Sequence, residues 1–272
     1  MCLILLAWRC HPGYRLILAA NRDEFLHRPT APLAFWPEHP EILAGRDLQA
    51  GGTWFGLTGD CRFAAVTNYR DPATFSATAL SRGQLPVKYL MSRISPQQFC
   101  TTNAHQWPQY NGFNLLAGDA DSLIYTSNRS PTAAYAVAPG IHGLSNHLLD
   151  TPWPKVARGM AALHRLLDGR AVVEPDDLFP LLEDSRQPPD DELPETGVSL
   201  EWERLLATAL ISGSEYGTRS SLALIMRDDG TISCAERTFA HAPTGVRETG
   251  KVRFDLHCRS HEDHYNLGPD RR

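Results

Sequence analysis

The chain has 272 residues, of which 42% are hydrophobic and 21% charged, and its formal net charge is −5. This length can bury one large core or two small ones, and the composition is that of an ordinary globular protein. No long run of Lys and Arg precedes the C-terminal tail. Nucleic acid is therefore not expected as the main partner, because phosphate binding needs clustered cations.

The first predicted elements form a hairpin. Residues 3–8 are a continuous apolar run, typical of a strand buried on both faces, and residues 14–20 predict a second strand after the turn signal Pro12-Gly13. In an antiparallel pair, the start of one strand lies beside the end of the other. The hairpin therefore brings Cys2 close to the Asn-Arg-Asp-Glu segment, residues 21–24.

Later strands are also paired in hairpins, and the helices are grouped between them. Strands are predicted at residues 53–57, 62–67, 113–117, 123–126, 220–226, 231–235 and 251–256. Helices are predicted at residues 85–94, 96–105, 154–167 and 176–182. Residues 29–40 are proline-rich and expected to be irregular, and residues 184–196 are expected to form an exposed loop. This order predicts an α+β fold with antiparallel sheets.

We expect one domain over residues 1–256 and a polar, flexible tail over residues 257–272. His257, His261 and His264 fall in that tail without a fourth ligand in sight, so no metal site is predicted. The sequence also lacks G-x-G-x-x-G and Walker A motifs, which argues against dinucleotide and P-loop binding.

The cysteines and the apolar N-terminal residues indicate the cellular compartment in which the protein is expected. Six cysteines are scattered without paired spacing, so a disulfide framework is not expected. The expected compartment is therefore the reducing cytoplasm. Residues 1–8 lack the basic start and the cleavage site of a signal peptide. No apolar run approaches the roughly 20 residues that span a bilayer, so stable membrane insertion is not expected.

Cys2 is the first candidate for chemistry. Removal of Met1 would leave a thiol beside a free α-amino group whose pKa lies near 7.7–8.0, so the amine can act as general base for its own side chain. The plain alternative is a small buried hydrophobic residue. The Asn-Arg-Asp-Glu segment favours the first interpretation, with Arg22 binding or positioning an anionic group, Asp23 orienting the amine and Glu24 holding Arg22. A solvated strand end is the alternative there.

Longer motifs make the sequence recognisable. They are Met1-Cys2-Leu3, Ala20 to Phe25 with Arg28-Pro29, Ala44 to Asp47, Gly51 to Gly56, Thr67 to Arg70, Ser81 to Gly83, Tyr110 to Leu116 and Tyr216 to Ser220. Together they resemble the NRDE family, also called the transport and Golgi organisation protein 2 family, over about residues 1–255. The resemblance implies an N-terminal nucleophile hydrolase-like fold, in which two stacked, mainly antiparallel sheets lie between helical layers (αββα).

The same resemblance, with the more distant choloylglycine hydrolases, implies roles for single residues. Cys2 would be the nucleophile. The early polar roles would fall to Arg22 or Asn21, together with Asp23 or Glu24. Asn68 and Asn146 would be the oxyanion donors, and Arg219 the late arginine of the site. Asn21, Glu24, Arg46 and Trp54 are expected to bind substrate. Each of these residues also has an ordinary structural interpretation. Asn68 and Asn146 are also typical of turns, and Arg219 could pair with a carboxylate. Arg46 could form an ion pair with Asp47, and Trp54 could belong to the core.

Two functional hypotheses follow. The first is a cysteine N-terminal nucleophile hydrolase that cleaves an amide or thioester of a small molecule and requires no cofactor. The second, drawn from the eukaryotic branch of the family, is a non-catalytic protein that binds or carries haem or an acyl-CoA in the same pocket. In that case Arg22, Arg46 and Arg219 are expected to bind propionates or phosphates, because arginine binds such groups in bidentate fashion.

Overall fold

The computed structural model describes residues 2–258, and at position 2 the backbone alone. Six strands form sheet A: β1 (Cys2–His11), β2 (Tyr14–Phe25), β10 (Gly140–Leu144), β11 (Tyr216–Arg227), β12 (Thr231–Ala242) and β13 (Gly245–His257). Seven strands form sheet B: β3 (Thr30–Trp36), β4 (His39–Asp47), β5 (Phe55–Thr58), β6 (Phe63–Asn68), β7 (Phe113–Gly118), β8 (Leu123–Ser127) and β9 (Tyr135–Ala136). The helices are α1 (Gln84–Met91), α2 (Pro96–Thr102), α3 (Pro154–Leu167), α4 (Pro175–Leu178) and α5 (Leu200–Leu206).

Both sheets are antiparallel throughout. Sheet A has the strand order β10-β1-β2-β11-β12-β13, and sheet B runs from β3 to β9 in chain order. One apolar core, which includes Leu6, Leu18 and Phe63, lies between the sheets. A second core packs α3 on the outer face of sheet A, and a third packs α1 and α2 on the outer face of sheet B. The four layers confirm the predicted α+β class.

Period-two alternation explains how β2 serves two cores at once. Leu16 and Leu18 belong to the core between the sheets, whereas Ile17 and Ala19 belong to the core under α3. A strand buried on both faces reads as a continuous apolar run, which is the pattern seen in the sequence. No helix among residues 2–258 is both long enough and apolar enough to cross a membrane.

The sequence prediction was wrong for residues 29–40, which contain all of β3 and the start of β4. β3 is the edge strand of sheet B, and its register with β4 shifts between Ala31 and Ala34, on either side of Pro32. Proline cannot donate to a ladder, but an edge strand with a bulge does not need that donor. The prolines therefore indicated an edge rather than a loop.

The other helices and strands differ less from the sequence prediction. Ser95 caps α2 as predicted, because its side chain accepts a hydrogen bond from the Gln98 N–H. The segment predicted as one helix at residues 176–182 is α4 followed by a 3₁₀ turn, and α5 was not predicted. β13 begins six residues before the predicted strand and includes His257. His261 and His264 lie outside the described residues, within which no three His, Cys, Asp or Glu side chains are grouped as metal ligands.

A disulfide between Cys61 and Cys258 joins the two sheets at the end of the molecule remote from position 2. Cys61 lies in the turn between β5 and β6, and Cys258 follows β13, where its N–H donates to the Gly230 carbonyl at 2.8 Å. The Cα atoms are 5.5 Å apart, and 197 positions separate the two residues in sequence. No spacing in the sequence indicated this pair, contrary to the expectation of scattered reduced thiols.

Reduction of this disulfide is expected to lower the free energy of unfolding by about 2–4 kcal/mol. The disulfide closes a long loop, and breaking it increases the conformational entropy of the unfolded chain. Urea unfolding with and without dithiothreitol measures the effect. Cys258→Ser should reproduce the reduced value in both buffers, and Cys10→Ser, at an exposed free cysteine, should not. Equal stability of the wild type in both buffers would contradict the prediction.

Candidate active site around position 2

The hairpin of β1 and β2 brings position 2 directly opposite Arg22. The backbone register pairs Cys2 with Arg22, Leu3 with Asn21 and Ile4 with Ala20. On the other side of β1, Leu144 of β10 pairs with Ile4, so the chain just after β10 arrives at the same end of the sheet. The proximity that the sequence predicted for the N-terminus and the Asn-Arg-Asp-Glu segment is present.

Alternation along β2 divides this segment between two faces of sheet A. Arg22 and Glu24 lie on the side that faces sheet B, where the Arg22 guanidinium carbon is 4.2 Å from the centre of a Trp54 ring. Asn21 and Asp23 lie on the opposite side, toward the helical layer. Four consecutive polar residues therefore supply two separate clusters, one on each side of position 2.

Arg22 is a buried cation with few polar partners. Its side chain is 5% exposed, and one Nη donates to Thr30 Oγ1 at 3.2 Å. The closest carboxylate oxygen, from Glu24, is 4.0 Å away, which is longer than a hydrogen bond. The Trp54 ring supplies a cation–π contact on the face of the guanidinium. Trp54 thus packs against the core and also contacts Arg22.

Glu24 and its neighbours stabilise the turn that follows β2. The Glu24 carboxylate accepts a hydrogen bond from the Phe25 N–H and lies 3.9 Å from Arg28. Arg28 in turn makes a bidentate pair with Asp47, with contacts of 2.6 and 3.2 Å. Burial alone would raise the pKa of the Asp47 carboxyl, but the Arg28 guanidinium holds that pKa below its ordinary value. Glu24 therefore links Arg22 to a fixed ion pair.

Asp23 is fully enclosed beneath position 2. Its Oδ1 accepts a hydrogen bond from Thr218 Oγ1 at 2.7 Å, and its carbonyl accepts one from the Tyr216 hydroxyl at 2.9 Å. Burial raises the pKa of the carboxyl, while the charge of Lys155 and the Thr218 hydroxyl act in the opposite direction. Asp23 is therefore held by neutral donors and by a buried cation.

Asn21 has a structural position rather than a substrate-facing one. Its amide nitrogen donates to the carbonyls of Leu182 and Ala209, at 2.9 and 2.8 Å, and its amide oxygen accepts from the Ser221 hydroxyl at 2.5 Å. The side chain is 1% exposed. Its hydrogen bonds tie the 3₁₀ turn after α4 and the segment after α5 to sheet A, which leaves the expected role in substrate binding without support.

The two candidate oxyanion asparagines lie together. Asn68 ends β6, and Asn146 follows β10 by two residues at the end of sheet A that holds position 2. The Asn146 amide nitrogen donates to the Asn68 carbonyl at 2.9 Å, while the Arg70 N–H donates to the Asn146 carbonyl at 2.7 Å. Asn146 is fully buried, and Asn68 is half-buried. Asn68 is thus the more accessible of the two.

Arg219 occupies a bulge of β11. Thr218 pairs with Asp23 and Ser220 pairs with Arg22, so Arg219 is the extra residue between them. One Nη donates to the carbonyls of Phe25, Leu26 and Arg28 at 2.9–3.1 Å, and burial and the nearby charge of Arg22 lower the pKa of the group. Arg219 therefore fastens the turn after β2 and places a second cation near Arg22.

Arg46 is not part of this site. It makes an ion pair with Glu38 and lies over the Trp36 ring, 4.5 Å from its centre. Trp36 belongs to the core on the outer face of sheet B. Because side chains alternate along β4, Arg46 faces away from Arg22, and Asp47 pairs with Arg28 instead. The alternative pairing of Arg46 with Asp47 is wrong, and the expected role of Arg46 in substrate binding is left without support.

Several buried residues of the site were not identified from sequence. They are Arg70, Lys155, Glu203, Tyr216 and Thr218. Arg70, Tyr216 and Thr218 stand within the recognised motifs, so the motifs contained a signal for them. Lys155 and Glu203 lie on helices α3 and α5 and had none, because a charged residue on a helix is normally assigned to its solvated face.

A model of the family described as Transport and Golgi organisation 2 matches residues 1–241. The chain belongs to this family. It is 34% identical to the Transport and Golgi organization protein 2 homolog of Bos taurus and 31% identical to that of Homo sapiens, in each case over 94% of this chain and 99% of the relative. The family membership inferred from the motifs is confirmed.

Solved structures similar to this chain share little sequence with it. One is a Caenorhabditis elegans N-acylethanolamine-hydrolyzing acid amidase ortholog, with 9% identity, 82% of this chain and 92% of that chain covered, and a TM-score of 0.43. Another is the C2A mutant of conjugated bile acid hydrolase from Clostridium perfringens, with 7% identity, 94% and 97% coverage and a TM-score of 0.48.

Proposed function

We propose that this chain is a cysteine N-terminal nucleophile hydrolase that cleaves an amide or thioester bond of a small molecule. Cys2 is the nucleophile after removal of Met1. The observation that carries the proposal is the β1–β2 register, which pairs position 2 with the buried Arg22 and sets it next to the enclosed Asp23. Burying charged side chains is expensive, so the grouping of these two at one chain end favours a chemical role.

The proposed reaction uses the first residue as both nucleophile and base. The α-amine takes the thiol proton, directly or through water, and the sulfur attacks the carbonyl carbon. The C–N or C–S bond breaks, and the leaving amine or thiol takes the proton. Water then attacks the acyl-thioester on Cys2, releasing a carboxylic acid and restoring the thiol.

The surrounding residues receive roles from their positions. In this proposal Asp23, which accepts a hydrogen bond from Thr218, orients the protonated amine, and Arg22 supplies positive charge that favours the thiolate. Asn68, at the accessible end of β6, is the proposed donor to the developing oxyanion, and Asn146 positions it through the Asn68 carbonyl. An oxyanion donor of this kind contributes about 2.7–4 kcal/mol in the transition state.

Cys2→Ala tests the function. Turnover of a panel of acyl 4-nitroanilides and acyl N-acetylcysteamine thioesters should fall by at least about 1,000-fold, as expected when the nucleophile itself is removed. Intact mass of the wild type should show loss of Met1. Cys10→Ala, at an exposed cysteine on the same strand, should retain wild-type turnover. Undiminished turnover in Cys2→Ala would remove Cys2 from the mechanism.

A binding function is the second candidate, and the arrangement of Arg22 and Arg219 favours it. Among residues 3–258, neither guanidinium has a carboxylate within hydrogen-bonding distance, which leaves two neighbouring cations available to an anion such as a propionate or phosphate. If the wild type hydrolyses none of the probes but gives a Soret shift with haem that Cys2→Ala abolishes, the carrier hypothesis replaces the hydrolase.

A further inference from the structure

The bulge in β11 places Thr218 directly opposite Asp23. The pairing of β11 with β2 runs in step from Leu222 and Ala20 up to Ser220 and Arg22, then skips Arg219, so that Thr218 meets Asp23. Bulges of this kind redirect a side chain and occur next to active sites. Without the extra residue, Arg219 rather than Thr218 would pair with Asp23.

The direction of the Thr218 hydroxyl proton follows from its partners. Thr218 Oγ1 accepts a hydrogen bond from the Ile211 N–H at 2.9 Å, and its own proton is thereby left for Asp23 Oδ1 at 2.7 Å. A carboxylate can only accept hydrogen bonds, so this donor favours the ionised form of Asp23. Thr218 is fully buried, which keeps water from replacing it.

Thr218 is itself held in place on its backbone side. Its N–H donates to the Ile211 carbonyl at 3.0 Å, and its carbonyl accepts from His241 Nε2 at 2.8 Å. The Tyr216 hydroxyl, two residues earlier, holds the Asp23 carbonyl at 2.9 Å. Asp23 is thus fixed at its backbone and at one carboxylate oxygen by the same short segment of β11.

We propose that Thr218 is a positioning residue that orients the Asp23 carboxyl group for the chemistry of the N-terminal cysteine. The inference rests on the proposed function and adds to it a residue that does not contact the substrate. Thr218 acts through Asp23: its hydroxyl sets which way the carboxylate faces, and Asp23 in turn sets the protonation and position of the α-amine beside the thiol.

The experiment compares Thr218→Val, which keeps the shape but loses the hydroxyl, with Thr218→Ser, which restores it. Thr58→Val is the matched control, because Thr58 is a buried threonine whose hydroxyl also donates to an aspartate, Asp60, at the opposite end of β5 from Trp54. Each variant is tested for kcat/KM against pH on the acyl probes. The rate of Cys2 alkylation by iodoacetamide is measured against pH by peptide mass.

Thr218→Val should lower kcat/KM by about 10- to 100-fold, as expected for loss of a hydrogen bond to a charged group. Its acid limb should move to higher pH, because removing the donor raises the pKa of Asp23. Thr218→Ser should recover both values, and Thr58→Val should match the wild type. If Thr218→Val does not fold, Thr218→Ala and Thr218→Ser make the same comparison.

Failure of the inference and failure of the proposed function give different results. If the wild type turns over the probes but Thr218→Val lowers the rate equally at every pH, Thr218 is only structural and the inference is overturned while the hydrolase stands. If no probe is hydrolysed but the alkylation profile of Cys2 moves in Thr218→Val, the hydrolase is overturned and the positioning of Cys2 through Thr218 is supported. No turnover with unmoved alkylation overturns both.

Discussion

Replacing Glu203 with Ala is expected to lower the free energy of unfolding by about 3–5 kcal/mol, because it leaves the Arg70 guanidinium buried without this carboxylate. Glu203 and Arg70 are 5% and 3% exposed, and their closest atoms are 2.5 Å apart. Glu203 also accepts hydrogen bonds from the N–H and hydroxyl of Thr196. The pair therefore joins α5 and the loop before it to the segment that follows β6.

The neighbouring residue on α5 supplies the control. Arg204 pairs with Asp190 at 2.5 Å, but these side chains are 43% and 51% exposed. Asp190→Ala should lower the free energy of unfolding far less than Glu203→Ala does, because water screens the exposed pair. Urea unfolding of both variants at pH 7 makes the comparison. If Glu203→Ala and Asp190→Ala lower the free energy of unfolding equally, burial does not decide how much an ion pair contributes to stability, contrary to the prediction.

Glu236 is expected to make the folded protein less stable as the pH rises. It lies on β12, is 1% exposed, and accepts a hydrogen bond from the Leu33 N–H of β3 at 2.6 Å, so it connects the two sheets. Burial raises its pKa from an ordinary 4.5 to about 7, although the Leu33 N–H and the charge of Arg22 favour the ionised form. The folded protein therefore holds this proton more tightly than the unfolded chain.

The sign of the effect follows from that difference. Stability from the Glu236 proton is complete below about pH 4.5 and is lost as the pH rises through about 7. Glu236→Gln removes the titration and keeps an acceptor for Leu33. Between pH 5 and pH 8 the variant should gain about 2–3 kcal/mol of unfolding free energy relative to the wild type.

Chemical denaturation at several pH values measures this gain. Glu248→Gln, at a side chain 43% exposed on the adjacent strand, makes the same change of charge and should follow the wild type across the range. A constant difference between Glu236→Gln and the wild type from pH 5 to pH 8 would show that Glu236 titrates alike in the folded and unfolded states, contrary to the prediction.

Local patterns in the sequence were sufficient for the elements around position 2. The apolar run of β1, the turn after it and the apolar run of β2 predicted the hairpin, and antiparallel pairing then required Cys2 to meet the Asn-Arg-Asp-Glu segment. The motifs also predicted the family. These inferences depend on neighbours in sequence or on one short turn, where alternation and turn chemistry leave few choices.

The sequence was a less reliable guide to which side chains lie on the same face of a sheet. Asn21 and Arg46 stood in the motifs beside Arg22 and Asp47, yet each faces away from Arg22, because alternation sends consecutive residues to opposite sides. Thr218 meets Asp23 only because of a bulge at Arg219, and a bulge depends on how two distant strands fit. Lys155 and Glu203 come from helices whose burial is decided by the layer packed against them.

The amino-acid sequence alone thus determined the α+β class, the family, and the meeting of position 2 with Arg22, since these follow from periodicity, short turns and recognisable motifs. The tertiary structure decided the two separate clusters on either side of position 2, the buried partners of Asp23, the Glu236 contact between the sheets and the disulfide from Cys61 to Cys258. Each of these joins residues far apart in sequence, and such contacts are set by packing and burial rather than by local pattern.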